Sequence, residues 1–256
     1  MISVIEGDCS NALALLEILR YKGIRVIPFA YPYDRDRKIL KKEIRKLMDE
    51  LSVDVGRLAG VEKEIKLVRT NLELIDRMTW HDKVVTGHEN HIWLVCASDM
   101  LGDYKNYKSM TGECIKGVRS RKKIKGLNIG YIGVPPILLD LYEFCESIGA
   151  HVVYNETQRQ YAFPQSSKNI VKRYLDYTYP YGIFHRLEDI KKEIERRSIK
   201  GLVHYVQAFC HRVLDDVILR DVLDIPVITI EGDIPKKIDA RTKLRLEAFI
   251  EMLESR

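Results

Sequence analysis

The chain has 256 residues, 46% hydrophobic and 31% charged, with 42 Lys and Arg against 37 Asp and Glu. That balance excludes a mainly disordered polypeptide, and a net charge of +5 spread among acidic residues does not mark a nucleic-acid-binding surface. No apolar run approaches the ~20 residues of a bilayer span, and the opening MISVIEGD lacks the features of a secretory leader, so a cytoplasmic protein with no membrane contact is expected.

Residues 2–5 form a β-branched run, GDCSN supplies turn and helix-start residues, and apolar residues recur at helical spacing over 12–21. IRVIPF then reads as a second strand, closed by the turn-like YPYD. A strand, helix, strand unit of this kind makes a parallel pair with a right-handed crossover. Amphipathic patterns predict helices over 35–52 and 63–77. TGHE fits a capping box with Thr86 and Glu89, opening a helix that the pattern carries from His88 to about Tyr107. Gly112, Gly117 and the basic run RSRKKIK, which has no interleaved aromatic residues, read as a solvated connection. The expected division is a first α/β domain over 1–110, a connection over 111–126 and a second α/β domain over 127–256.

In the second part, LNIGYIG reads as a buried strand, VPPILLDLYEFCESIG as a helix opened by prolines, and HVVYN as a strand. Helices over 167–176 and 187–197 precede the strand GLVHYV, a helix from Cys210 to Leu223, the strand PVITI and a last helix in IDARTKLRLEAFIEMLE. This alternation predicts an α/β fold with two parallel sheets, the first with only two evident strands.

Five cysteines, odd in number and scattered, argue against a disulfide framework and leave packing, reactive thiols or metal ligation. Two stand alike: Cys9 precedes Ile24 by 15 positions and Cys210 precedes Ile225 by 15, each between an apolar run and a helical one. Ligand sites of open α/β sheets lie there, beyond strand ends where helix N–H groups point outward. Cys145 and Cys96 read as packing thiols, and Cys114 reads equally as bystander or ligand. His88 and His91, with His81 as a third, are a second possible metal set, against the plainer reading of exposed histidines. A structural zinc on Cys9, Cys210 and a histidine is a further possibility. Asp8, Glu231 and Asp233 fall near strand ends, suited to acid–base work or to capping, and His211 neighbours Cys210.

VQAFCHRVLDD, IPVITIEGD and ARTKLRLEAFIEML together resemble the C-terminal signature of the 2-hydroxyacyl-CoA dehydratase and benzoyl-CoA reductase iron–sulfur subunits. IGYIGVPPILLDLYEFCESIGAHVVYNE resembles the opening of that family's second domain, and GDCSNALALLEIL a cysteine motif of its first. The resemblance implies two flavodoxin-like parallel-sheet domains facing each other across a cleft, the first incomplete. It also implies an iron–sulfur cluster, 4Fe-4S or double-cubane, that serves ATP-activated low-potential electron transfer or dehydratase chemistry in anaerobic metabolism. Cys9 and Cys210 match two of the family's three cluster cysteines, and Cys114 is a further candidate iron ligand. The family's first cysteine lies upstream of the Cys9-type motif, while Gln158 and Tyr181 stand where members often carry additional cysteines. The expectation is therefore a site completed in a homodimer or in a heterodimer with a related subunit, served by an ATPase activator protein. The competing expectation is an accessory or scaffold subunit, cluster-free or cluster-delivering, within a larger redox complex.

Overall fold

The computed structural model describes residues 1–7, 9–163 and 169–256. The chain divides into two compact units, Met1–Glu64 with Gln165–Asp189 and Ile65–Pro164 with Ile190–Arg256. Both contain parallel sheets, as the alternating pattern predicts.

In the first unit, β1 (Ile2–Glu6), α1 (Ser10–Tyr21) and β2 (Ile27–Ala30) form the expected strand, helix, strand element. The strands pair in parallel, with Ile2 opposite Ile27 and Val4 opposite Phe29. Helix α2 (Arg37–Glu50) starts where the Asp36 carboxylate accepts from the amides of Lys38 and Ile39 at 2.6 and 2.9 Å. Its apolar face contributes Leu40 and Ile44 to a core with Phe29, Tyr31, Val171 and Tyr181. Val171 belongs to α8 (Ile170–Asp176); the start expected at Ser167 lies outside the described residues.

Two of the three unit boundaries fall within α3 (Val55–Trp80), longer than the periodicity predicts, and within α9 (Ile183–Arg197). The predicted capping box is present at α4 (Gly87–Val95), with Thr86 and Glu89 each bonded to the other's backbone amide at 3.0 Å. The expected long helix from His88 is instead broken. After α4 come two 3₁₀ turns, Cys96–Ser98 and Met100–Gly102, and then α5 (Tyr104–Val118). Asp99 and Asp103 cause the break by accepting backbone amides ahead of the helical ones, and Met100 and Leu101 adopt φ of 53° and 55°. Gly112 and Gly117, read as part of a connection, lie inside α5.

The second unit holds a four-stranded parallel sheet in the order β4 (Ala150–Asn155), β3 (Leu127–Gly133), β5 (Gly201–Gln207), β6 (Val227–Gly232). On one face Ile129, Tyr131, Val152, Val203, Tyr205 and Ile230 pack against α6 (Leu141–Ser147) and α11 (Ala240–Glu254). Helix α6 is shorter than expected, because Leu138 forms a parallel bridge with Lys236 and the Leu139 amide donates to the Lys236 carbonyl at 3.0 Å, holding this stretch out of the helix. Asp140 also diverts its carboxylate to the Ile238 amide at 2.7 Å. A short α7 (Glu156–Tyr161), which the sequence pattern does not predict, follows β4.

A buried ion cluster ties this unit together. Arg197 meets Asp76 through two bonds of 2.6 and 2.9 Å, Glu193 at 2.5 Å and the Val153 carbonyl at 2.6 Å. Burial opposes the ionised form of Asp76, but the Arg197 charge outweighs it and holds the carboxyl below its ordinary value. Among the described residues, no helix is long and apolar enough to cross a membrane.

Candidate functional site

The two cysteines singled out by their context occupy equivalent places in two local devices. β1 ends at Glu6 and Cys9 stands three residues on, at the N-cap of α1 with φ −76° and ψ 161°. β5 ends at Gln207 and Cys210 again stands three residues on, with φ −73° and ψ 125°, before a 3₁₀ turn (His211–Leu214) that leads into α10 (Asp215–Val222). Cys9 O accepts from the Ala12 amide and Cys210 O from the Val213 amide, both at 3.1 Å. Both thiols are half-buried. Cys9 belongs to the first unit and Cys210 to the second.

Each turn contains a residue with positive φ. Gly7 has φ +93°, and a Cβ on it would lie 2.8 Å from Pro180 Cβ and 2.9 Å from Tyr31 Cβ, so only glycine fits. In the second turn Phe209 takes φ +61° with its ring fully exposed. A non-glycine residue held there costs of order 1 kcal/mol, and such outliers cluster at functional positions.

Cys210 also sits where the sheet order changes direction. From β3 the chain first passes to β4 on one side and later builds β5 and β6 on the other, the kind of switch point at which ligand sites of open α/β sheets form. The β3 side is tightly made. Gly133 has φ +99°, and a Cβ there would lie 2.1 Å from the Tyr205 carbonyl oxygen. Its amide donates to Glu156 at 2.8 Å and its carbonyl accepts from Thr157 at 2.6 Å, both side chains being buried. On the β5 side, fully buried His204 holds Asp216 of α10 at 2.5 Å through Nδ1, and Asp216 also accepts from the Thr229 hydroxyl. Burial alone would raise the Asp216 carboxyl, but the His204 and Thr229 hydrogen bonds outweigh it and hold it at about 2. With the carboxylate ionised, Nδ1 is the donor, and His204 Nε2 makes no hydrogen bond among the described residues.

The remaining candidates are dispersed. Cys114 lies within α5 against a core of Ile75, Met78 and Ile115, and burial together with the nearby Glu89 pushes its thiol up. Cys145 is 1% exposed and burial pushes it up to about 12, while Cys96 ends α4 and is raised by burial and Asp99. Both pack, as expected. His81 meets Asp82 at 2.7 Å, His88 meets Glu143, and His91 accepts from Gln158 at 3.0 Å. Burial, helped by His88, lowers His91 to about 4, which keeps it neutral near pH 7. His211, Glu231 and Asp233 are exposed, and Asp8 lies outside the described residues. Tyr181 is a core residue whose hydroxyl donates to the Tyr174 carbonyl at 2.8 Å. Among the described residues, no group of three His, Cys, Asp or Glu side chains is arranged to hold a metal ion.

Sequence reasoning passed over His204, although one polar letter in GLVHYV was a visible signal; its partners Asp216 and Thr229 become neighbours only through the fold. A family model described as 2-hydroxyglutaryl-CoA dehydratase, D-component, matches residues 1–253. A search of curated proteins finds no match.

Proposed function

Because the chain belongs to the 2-hydroxyglutaryl-CoA dehydratase D-component family, we propose that it is a cluster-binding subunit of a dehydratase or reductase that acts with a partner chain. In this reading Cys9 and Cys210 supply thiolate ligands to an iron–sulfur cluster. The carrying observation is the repeated device: in both turns a half-buried sulfur stands three residues beyond the last residue of a parallel strand.

Two thiols are soft donors suited to iron, yet each iron of a cubane needs a terminal ligand. With no group of three donors among the described residues, the donor set is partial, and a partner or a second copy completes it. A bound cluster would supply low-potential one-electron chemistry. The protein's own contribution is positional. The glycine-only turn at Gly7 and the hydrogen bonds that Cys9 O and Cys210 O accept fix where each sulfur stands. The ionised Asp216 ties His204 of β5, the strand that leads to Cys210, to α10.

Anaerobic reconstitution followed by iron and sulfide analysis tests this. Wild-type protein with its partner should take up both elements, and Cys9→Ala and Cys210→Ala should each lose most of the iron. Unchanged iron in both variants would sink the idea. The second reading is an accessory or scaffold subunit, cluster-free or cluster-delivering, within a larger redox complex. A visible spectrum separates the two: broad absorption near about 400 nm supports the first, and protein still colourless after reconstitution with its partner supports the second.

A further inference from the structure

We propose that a groove over the outer edge of β6 is a binding site for an amphiphilic carboxylate, a small acid with an aliphatic or aryl tail. β6 ends the sheet of the second unit. Side chains alternate between the faces of β5: Val203 and Tyr205 pack with α11, whereas His204 bonds Asp216 of α10. Helices α10 and α11 therefore flank the β6 edge from opposite faces and border an open groove of about 650 Å³, roomy enough for a small molecule.

The edge itself is closed by two arginines. Pro226 O and Gly232 O accept from β5-side amides at 2.9 and 2.8 Å, so the carbonyls of the intervening odd-numbered residues turn outward. Arg220 of α10 donates to Val227 O and Arg245 of α11 donates to Thr229 O, each at 2.7 Å. These bonds occupy the acceptors that an added strand would need, which disfavours strand addition at this edge. They also fix both guanidinium groups at the border of the groove before any ligand arrives.

The charges differ. Arg220 is shared with Asp216 at 3.4 Å and with the Thr229 hydroxyl at 2.9 Å, whereas Arg245 makes no ion pair among the described residues. Pro226, Ile228, Phe249 and Met252 supply apolar lining. A held, uncompensated guanidinium beside such a surface suits a carboxylate head with an apolar tail, through a charge-assisted bond that a neutral head cannot make.

Octanoate, with octan-1-ol as its neutral counterpart, is the probe. Titration of the full chain should show saturable octanoate binding, with amide shifts at Ile225, Val227 and Ile228, and octanol weaker by about tenfold or more, as one charge-assisted bond implies. Arg245→Gln should bring octanoate down to the octanol level and leave octanol unchanged. Ala248→Trp, which fills the groove from an exposed helix position, should abolish both. Equal affinity for acid and alcohol, or octanoate binding indifferent to either variant, would overturn the proposal. So would binding of a glutamate-rich decapeptide without binding of octanoate, which would assign the groove to a protein segment.

Discussion

Replacing Asp216 by Asn keeps an acceptor for His204 Nδ1 but removes the charge that His204, Thr229 and Arg220 all address. The carboxyl ordinarily titrates at 3.8 and is held at about 2 in the fold. At about 1.4 kcal/mol for each tenfold change in proton affinity, its ionisation contributes about 2.5 kcal/mol of stability. The side chain is 18% exposed, so solvent screening leaves most of that in place. A carboxylate depressed in the folded state stabilises above its unfolded value and loses that contribution as pH falls towards its folded one. The full contribution should hold at pH 6, with roughly half gone by pH 3. Urea denaturation of wild type and Asp216→Asn from pH 6 to pH 3 isolates it, because other depressed carboxylates such as Asp76 and Glu193 cancel in the difference. The gap should narrow by about 1 kcal/mol across that range. A gap independent of pH would refute the assignment of Asp216 as an ionised anchor.

Asp76→Ala strands the fully buried Arg197 and should cost about 3–5 kcal/mol in a urea titration; a loss below about 1 kcal/mol would mean the pair is not buried in solution. Gly133→Ala and Gly149→Ala both place a side chain at positive φ, where a β-carbon costs about 1–2 kcal/mol. Only at Gly133 does that carbon strike backbone, so its loss should clearly exceed that of Gly149, where the nearest atom is the flexible Glu254 carboxylate at 3.6 Å. Thr86→Ala removes the capping box of α4 and should lower stability by about 1 kcal/mol, read as a shift in thermal midpoint.

The strands and most helices were legible because their signals are local. Ile2–Glu6 and Gly201–Gln207 are short apolar runs bounded by turn residues, and Thr86 with Glu89 announces a helix start three residues apart. The break between α4 and α5 was missed because apolar residues keep helical spacing through it, while the deciding contacts are hydrogen bonds from Asp99 and Asp103 to nearby amides. Those aspartates were visible, but periodicity outweighed capping in the reading. The Asp76–Arg197 pair, 121 residues apart in sequence, has no local signature.

The candidate site divides in the same way. That Cys9 and Cys210 follow strands can be read from composition, but the switch in strand order beside Cys210 depends on β4 and β5 lying on opposite sides of β3, which no residue pattern states. Cys114 has a different setting: it lies within α5, packed against the core of Ile75 and Met78, where burial and the nearby Glu89 raise its thiol. Cys9 and Cys210, by contrast, are half-buried at strand-to-helix turns, and the chain makes that turn twice with the same three-residue step. For the ligand role proposed for Cys9 and Cys210, this repeated step is the feature to test first, by comparing iron uptake of the two alanine variants with that of Cys114→Ala.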